Sequence, residues 1–392
     1  MRQIPITKPL IGDAELAAVR APLESGWVVQ GPRVEEFESR FAAFSNSPFA
    51  AATSSCTTAL HIAVAALGLK PGDEVIVPAF TWVSTANVVE YLGATPIFCD
   101  IDLETYNIDL ELCEALVTER TVGIIPVHLF GLAAEIERVL DLAERKGLWV
   151  VEDAACGFGC LRQGRHVGTF GTCGAFSFHP RKSITTGEGG MITTADPALD
   201  RLVRSLRDHG ASRSDHERHT DDGAFLLAEY PYLGFNVRMT DIQGALGCAQ
   251  MDRADWILAR RRELAARYDA LLADVDWLRT PVVEPGDVHG YQAYVCLFAP
   301  VEPTLGNVHD AHARRNVLMR ELEEQGISTR QGTHAAALTR YYVEKYGFSA
   351  EQFPVAALAE RLTLTLPLYP QMTDEEQDLV VSALQRIPEF VR

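Results

Sequence analysis

The chain has 392 residues, 53 acidic and 35 basic, which gives a formal net charge of −18. That length predicts about two domains, or one large body with an appendage, and 47% apolar with 22% charged residues describes a folded chain rather than a disordered or collagen-like one. The negative charge speaks against nonspecific nucleic-acid binding, and no apolar run approaches the roughly 20 residues of a membrane span.

The first residues, Met1-Arg-Gln-Ile-Pro-Ile-Thr-Lys-Pro-Leu10, lack the continuous apolar segment of a secretory signal, so the expected location is the cytoplasm. A helix is expected over 57–67, then a Lys70-Pro-Gly-Asp73 turn and a strand over 74–78. Further strands are expected over 94–100, 123–128, 148–153, 174–178 and 190–194, with helical patterns between most of them. This alternation is how a parallel sheet covered by helices reads in sequence, so the class is α/β. The stretch 212–222 is dense in charge and histidine and reads as an exposed loop. A long helix is expected over 253–272, and beyond it the alternation weakens. The boundary is therefore set near residue 255, with a large α/β domain over 1–255 and a smaller C-terminal domain over 256–392. Eight cysteines, at 56, 99, 113, 156, 160, 173, 248 and 296, sit mostly in apolar segments without a C-x-x-C pair. They read as reduced, buried thiols, and no metal site is expected.

Four segments carry candidate chemistry. Glu152-Asp153 ends an apolar strand, where open α/β sheets place their ligands; alone, such a carboxylate is more often a helix cap. Lys182 follows in a strand running into a glycine-rich turn, Phe176-Ser-Phe-His-Pro-Arg-Lys-Ser-Ile-Thr-Thr-Gly-Glu-Gly-Gly190. Apolar flanks are expected to desolvate its amine and lower its pKa, as a Schiff-base lysine requires. Ser177 and nearby backbone amides offer a phosphate site. In Thr53-Ser-Ser-Cys-Thr-Thr-Ala-Leu60 small hydroxyl residues open a helix whose first N–H groups lack intrahelical partners, a second anion cradle or simply an N-cap. Together with the aromatic Trp82, these are the parts a pyridoxal phosphate site requires.

The chain also resembles the DegT/DnrJ/EryC1/StrS group of aspartate-aminotransferase-fold enzymes, which transaminate keto-sugars and cyclitols. The resemblance runs through Ser25-Gly-Trp, Gly31-Pro-Arg-Val-Glu-Glu-Phe-Glu38, Gly72-Asp-Glu-Val-Ile-Val-Pro78, Ile125-Pro-Val-His128, Glu152-Asp-Ala-Ala155, Ser177-Phe-His179 with Lys182, and Gly187-Glu-Gly-Gly190. It continues in Gly234-Phe-Asn-Val-Arg-Met-Thr-Asp-Ile-Gln243 and Leu366-Pro-Leu-Tyr-Pro370. It implies the type I fold of pyridoxal-phosphate enzymes, with a mostly parallel central sheet flanked by helices and a smaller C-terminal α+β domain. Lys182 would bond the cofactor and shuttle a proton, Asp153 would pair with its pyridinium nitrogen, and Trp82 would stack on the ring. Ser55, Cys56, Thr57 and Ser177 would hold the phosphate, with Asn236 reaching it from a second subunit, which implies a homodimer.

Two positions depart from the family pattern. Cys56 stands where the family usually has glycine, and Cys156 where a glutamine or histidine approaches the cofactor's phenolic oxygen; a thiol is a weaker donor there. Arg238, Arg330, His334 and Arg340 are candidate substrate contacts, or ordinary solvated charges. His179, beside the lysine, would assist proton transfer, position substrate or serve structure alone. The expected activity is transfer of an amine from glutamate or glutamine to a keto-sugar, nucleotide-linked in the reading preferred here, or to a keto-cyclitol. Such a reaction belongs to aminosugar, secondary-metabolite or cell-surface polysaccharide synthesis. The alternatives are a dehydratase or other pyridoxal-phosphate chemistry on a deoxysugar, and a non-catalytic sensor.

Overall fold

The computed structural model describes residues 3–213 and 228–386. Short runs of β-branched and apolar residues become buried strands of a central sheet: β1 (Phe49–Thr53), β2 (Glu74–Pro78), β3 (Thr95–Cys99), β4 (Thr121–Ile124), β5 (Trp149–Asp153), β6 (Cys173–Ser177) and β7 (Gly190–Thr194). Their order across the sheet is β1-β7-β6-β5-β4-β2-β3. β3, β2, β4, β5 and β6 run parallel, whereas β7 lies antiparallel to both β1 and β6. The α/β class and mostly parallel sheet read from the sequence are what the structure contains.

Helices cover both faces. On one, Cys56–Ala66 packs its apolar side, including Leu60 and Ala63, over Val151, Ala175 and Ile192. On the other, Phe37 and Phe41 of the helix Pro32–Ser45 meet sheet aromatics edge to face, Phe41 with Phe176 at 4.9 Å and Phe37 with Phe178 at 5.0 Å between ring centroids. A second, antiparallel sheet of order β8-β9-β10 follows: β8 (Leu278–Arg279), β9 (Tyr294–Phe298) and β10 (Thr363–Leu366). It shares a core with Leu264 and Tyr268 of the long helix Ala254–Leu272. Ile4 joins that core too, through a parallel bridge to Ile327.

The expected strand over 123–128 begins earlier and ends at Ile124. Pro126 has no N–H to give the ladder, yet Ile125 N still reaches Ile76 O, and the Pro126 carbonyl accepts from Asp153 N at 2.9 Å. The chain therefore stays extended past the end of β4. β1 went unanticipated, its Phe-Ala-Ala-Ala-Thr sequence lacking β-branched alternation. Of the charge-dense stretch 212–222, all but 212 and 213 lies outside the described residues.

Candidate active site

The C-terminal end of β5 carries two carboxylates with opposite surroundings, because neighbouring side chains of a strand point to opposite faces. Glu152 is fully buried and accepts the N–H groups of Gly168, Phe170 and Gly171, each at 2.7 Å, and meets His128 Nε2 at 2.9 Å. His128 Nδ1 accepts the Ala134 N–H, which leaves Nε2 to donate to the carboxylate. Burial alone would raise the Glu152 pKa, but His128 and the backbone donors outweigh it and hold the pKa below the usual value. This pair braces the strand end. Asp153, also buried, accepts Thr85 Oγ1 at 2.8 Å and Ala155 N at 3.1 Å. Here burial wins and the pKa is raised, against the opposing pull of Thr85, Ala155 and Lys182. Among the described residues no cation forms an ion pair with this carboxylate.

Past β6 the chain turns at His179. Lys182 N donates to His179 O at 2.8 Å, and His179 Nδ1 accepts Arg181 N at 3.2 Å. Lys182 is half-buried as a residue, but its amine is withdrawn among protein groups, with Nζ 3.2 Å from Cys156 Sγ. The sequence reading expected desolvation to lower the lysine's pKa. Desolvation does act in that direction, but Cys156, Cys56 and Asp153 together outweigh it, and the pKa is raised. The correction comes from partners on three separate elements. His179 is half-buried, and its pKa is lowered chiefly by that burial.

The helix Cys56–Ala66 starts where β1 ends. Ser55 caps it, its side chain accepting Thr58 N at 3.2 Å, and Thr57 Oγ1 meets Ser84 Oγ at 2.8 Å. The N–H groups of Cys56 and Thr57, in the first turn, have no intrahelical acceptor. The floor beneath is Gly190, in register with Thr53 on one side and Ser177 on the other. A Cβ there would lie 2.4 Å from both the C and O atoms of Ser55 and 2.7 Å from Cys56 N, so only glycine lets strand and helix start approach this closely. Burial, with Asp153 nearby, raises the Cys56 pKa well above the ordinary thiol value, so it is a neutral thiol at pH 7. The fold thus gathers Asp153, Lys182, Cys56 and Cys156 into one electrostatic neighbourhood.

The other expected residues are placed variously. Trp82 is 56% exposed, with its ring 5.9 Å from that of His334. The contact arises because Phe80–Thr81 pairs antiparallel with His334–Ala335. His334 Nδ1 is also 3.4 Å from Glu360 Oε1. The segment bearing Asn236 and Arg238 runs beside the helix start, Val237 O accepting Ser54 N at 2.8 Å, but the Arg238 side chain is paired with Asp208. Arg330 bridges Thr365 through the backbone. Arg340 is exposed and pairs with Glu344 one helical turn away. Among the described contacts, none joins either arginine to Lys182 or Asp153. Thr85 and the His128–Glu152 brace escaped the sequence reading; their partners lie 68 and 24 residues away, and only the fold reveals them.

The chain is similar in sequence and fold to known proteins. The DegT/DnrJ/EryC1/StrS aminotransferase family matches residues 9–385. The spore coat polysaccharide biosynthesis protein SpsC of Bacillus subtilis is 38% identical over 384 residues, 98% of this chain and 97% of that protein. Among solved structures, the putative sugar aminotransferase Spr1654 from Streptococcus pneumoniae in its PMP form superposes with a TM-score of 0.91 at 29% identity, covering 99% of this chain and 100% of the other. DesV of S. venezuelae, solved with a ketimine intermediate, superposes at 0.86 with 28% identity, again covering 99% and 100%.

Proposed function

Because the chain belongs to the DegT/DnrJ/EryC1/StrS aminotransferase family, we propose that it moves an amino group from glutamate or glutamine to a keto-sugar, using pyridoxal phosphate held at Lys182. The observation that carries this reading is the withdrawn Lys182 amine beside Cys156, within electrostatic reach of Asp153, a buried carboxylate whose hydrogen bonds come from neutral donors. The residues fit that cofactor. A buried carboxylate held only by neutral donors suits a protonated ring nitrogen, and the helix start over Gly190 suits a phosphate. Ser183 Oγ, next to the lysine, is buried without a partner.

In this reading Lys182 Nζ would anchor the cofactor, and Asp153, held by Thr85, would pair with its ring nitrogen. Ser177 with Ser55, Cys56 and Thr57 would hold the phosphate. Pyridoxal phosphate supplies an electron sink for the charge that develops when a carbon beside nitrogen loses its proton. Lys182 Nζ would move that proton, and Cys156 would set how readily the amine gives it up. Trp82 and His334 would frame the mouth of the pocket, with His179 orienting the substrate, and Arg238, Arg330 and Arg340 would meet its anionic portion.

Asn236 is assigned to the phosphate of a second copy. Exposed apolar residues Val28, Val29, Tyr230, Tyr232 and Leu233, the last 93% accessible, support a homodimer. No described helix is long and apolar enough to cross a membrane. All eight cysteines are free, which supports a reducing, cytoplasmic setting. The division near residue 255 belongs to this reading too, supported by the separate core around Tyr268 and Tyr294.

Sugar aminotransferases such as Spr1654 and the polysaccharide protein SpsC support an acceptor of that class. The test is spectroscopic. The protein loaded with pyridoxal phosphate is expected to show the absorption of a lysine-bound cofactor, to lose it on adding glutamate or glutamine, and to regain it with a keto-sugar. Lys182→Ala is expected to do none of these. A deoxygenated rather than aminated product would overturn the transfer reading in favour of dehydration.

A further inference from the structure

Residues 289–293 lead into β9 and pass beside the turn that carries Lys182. Their path is locally strained: Tyr291 holds a φ of 42°, a left-handed conformation that bulky side chains rarely adopt. Several bonds impose it. His289 Nδ1 accepts Tyr291 N at 2.7 Å, and Gly290 N donates to Gly131 O at 2.8 Å. Arg261, fully buried in the long helix, donates through Nη1 to the Tyr291 and Gln292 carbonyls at 3.1 and 3.3 Å. Its neighbour Arg262 donates through Nε to His289 O at 3.3 Å. Gly131 makes the room, since a Cβ there would stand 3.0 Å from Tyr291 N, 3.1 Å from Gln292 N and 3.2 Å from Cys156 O.

What this strained crossing delivers is the Gln292 side chain, whose Nε2 donates to Arg181 O at 2.7 Å. That carbonyl and the Lys182 N–H are opposite ends of one rigid amide plane. The N–H is already bonded to His179 O. With both ends held, the plane is braced against rotation, which steadies the Cα from which the Lys182 side chain leaves the backbone. We infer that Gln292 is a positioning residue for Lys182, fixing the peptide plane before it so that the amine is aimed at its target. This rests on the reading of Lys182 as the lysine that bonds the cofactor. Gln292 is only partly buried, so its loss removes little packed surface.

The test measures how fast the cofactor-free protein captures pyridoxal phosphate covalently, read as the mass adduct after borohydride reduction, for wild type, Gln292→Ala, Gln292→Glu and Lys182→Ala. Ionised glutamate keeps the size of glutamine but has no proton to donate. Both Gln292 variants are expected to capture roughly five- to tenfold more slowly, the scale of one misaimed hydrogen bond. In the loaded enzyme kcat is expected to fall with KM nearly unchanged, and the melting temperature to stay at the wild-type value. Wild-type capture by either variant overturns the inference, as does slow capture accompanied by a lowered melting temperature in both, which would assign the bond to general stability. If Lys182→Ala is captured like wild type, the reading of Lys182 itself fails and takes the inference with it. Capture lost in Lys182→Ala but normal in both Gln292 variants sinks the inference alone.

Discussion

Cys156 holds its sulfur 3.2 Å from Lys182 Nζ, and no residue does more to keep the lysine's proton in place. Removing the thiol leaves burial to push the amine's pKa down against fewer opponents. Cys156→Ala is therefore expected to capture pyridoxal phosphate faster at neutral pH, because more of the amine is unprotonated, and the midpoint of its rate against pH is expected to move to lower pH. A midpoint at or above the wild-type value would show that the thiol does not hold the proton.

Asp153 titrates in the opposite sense to a typical paired aspartate. Its folded-state pKa is raised, so folding favours the protonated form, and the ionised group weakens the fold above the ordinary aspartate value of 3.8. Asp153→Asn is thus expected to melt no lower than wild type at pH 7, while kcat falls by about 10²- to 10³-fold, the usual scale for losing an electrostatic partner at the reacting centre. Thr85→Val removes the donor that opposes the shift and is expected to lower kcat in the same direction but less. Calorimetry paired with steady-state kinetics checks both; a large drop in melting temperature for Asp153→Asn contradicts the sign.

Acid sensitivity should come from Glu38. This buried carboxylate accepts Ala52 N at 2.8 Å and pairs with Arg204 at 2.6 Å and with Arg207. Burial raises its pKa, but the two guanidiniums outweigh burial and hold it below 4.5. The stability it contributes is therefore complete above pH 4.5 and is lost as pH falls through the lowered native value. Glu38→Gln is expected to cost about 3 kcal/mol at pH 7, since it leaves the buried Arg207 without its carboxylate, whereas the half-buried Arg204 keeps Asp200. It should also flatten the acid limb of a urea-stability profile taken from pH 7 down to about pH 3.

The strands 74–78 and 190–194 lie where their apolar pattern and flanking Gly and Pro set them. β1 was illegible for a physical reason: a run of alanines favours helix locally and becomes strand only because β7, distant in sequence, supplies its ladder. The same contrast holds in the site. Asp153 and Lys182 stand out in the sequence because strand ends are where such sheets place chemistry, and the fold brings them within electrostatic reach of each other. The sign of the lysine's pKa shift does not, because it is decided chiefly by Cys156, with Cys56 and Asp153, brought beside Lys182 from other elements by the fold.

β1 sits at the sheet edge with β7 as its one neighbour in that sheet, so the helix start that follows β1 and the lysine turn that precedes β7 meet only when those two strands zip together. During synthesis, at about 5 to 20 residues per second, β1 emerges early and waits with its hydrogen-bonding edge unpaired until residues 190–194 arrive. That interval is a window for misassociation through an open strand edge. Substitutions that delay β7 docking would lower the yield of soluble protein while leaving every residue around Lys182 intact, a failure of assembly that an activity assay on the surviving molecules would not register.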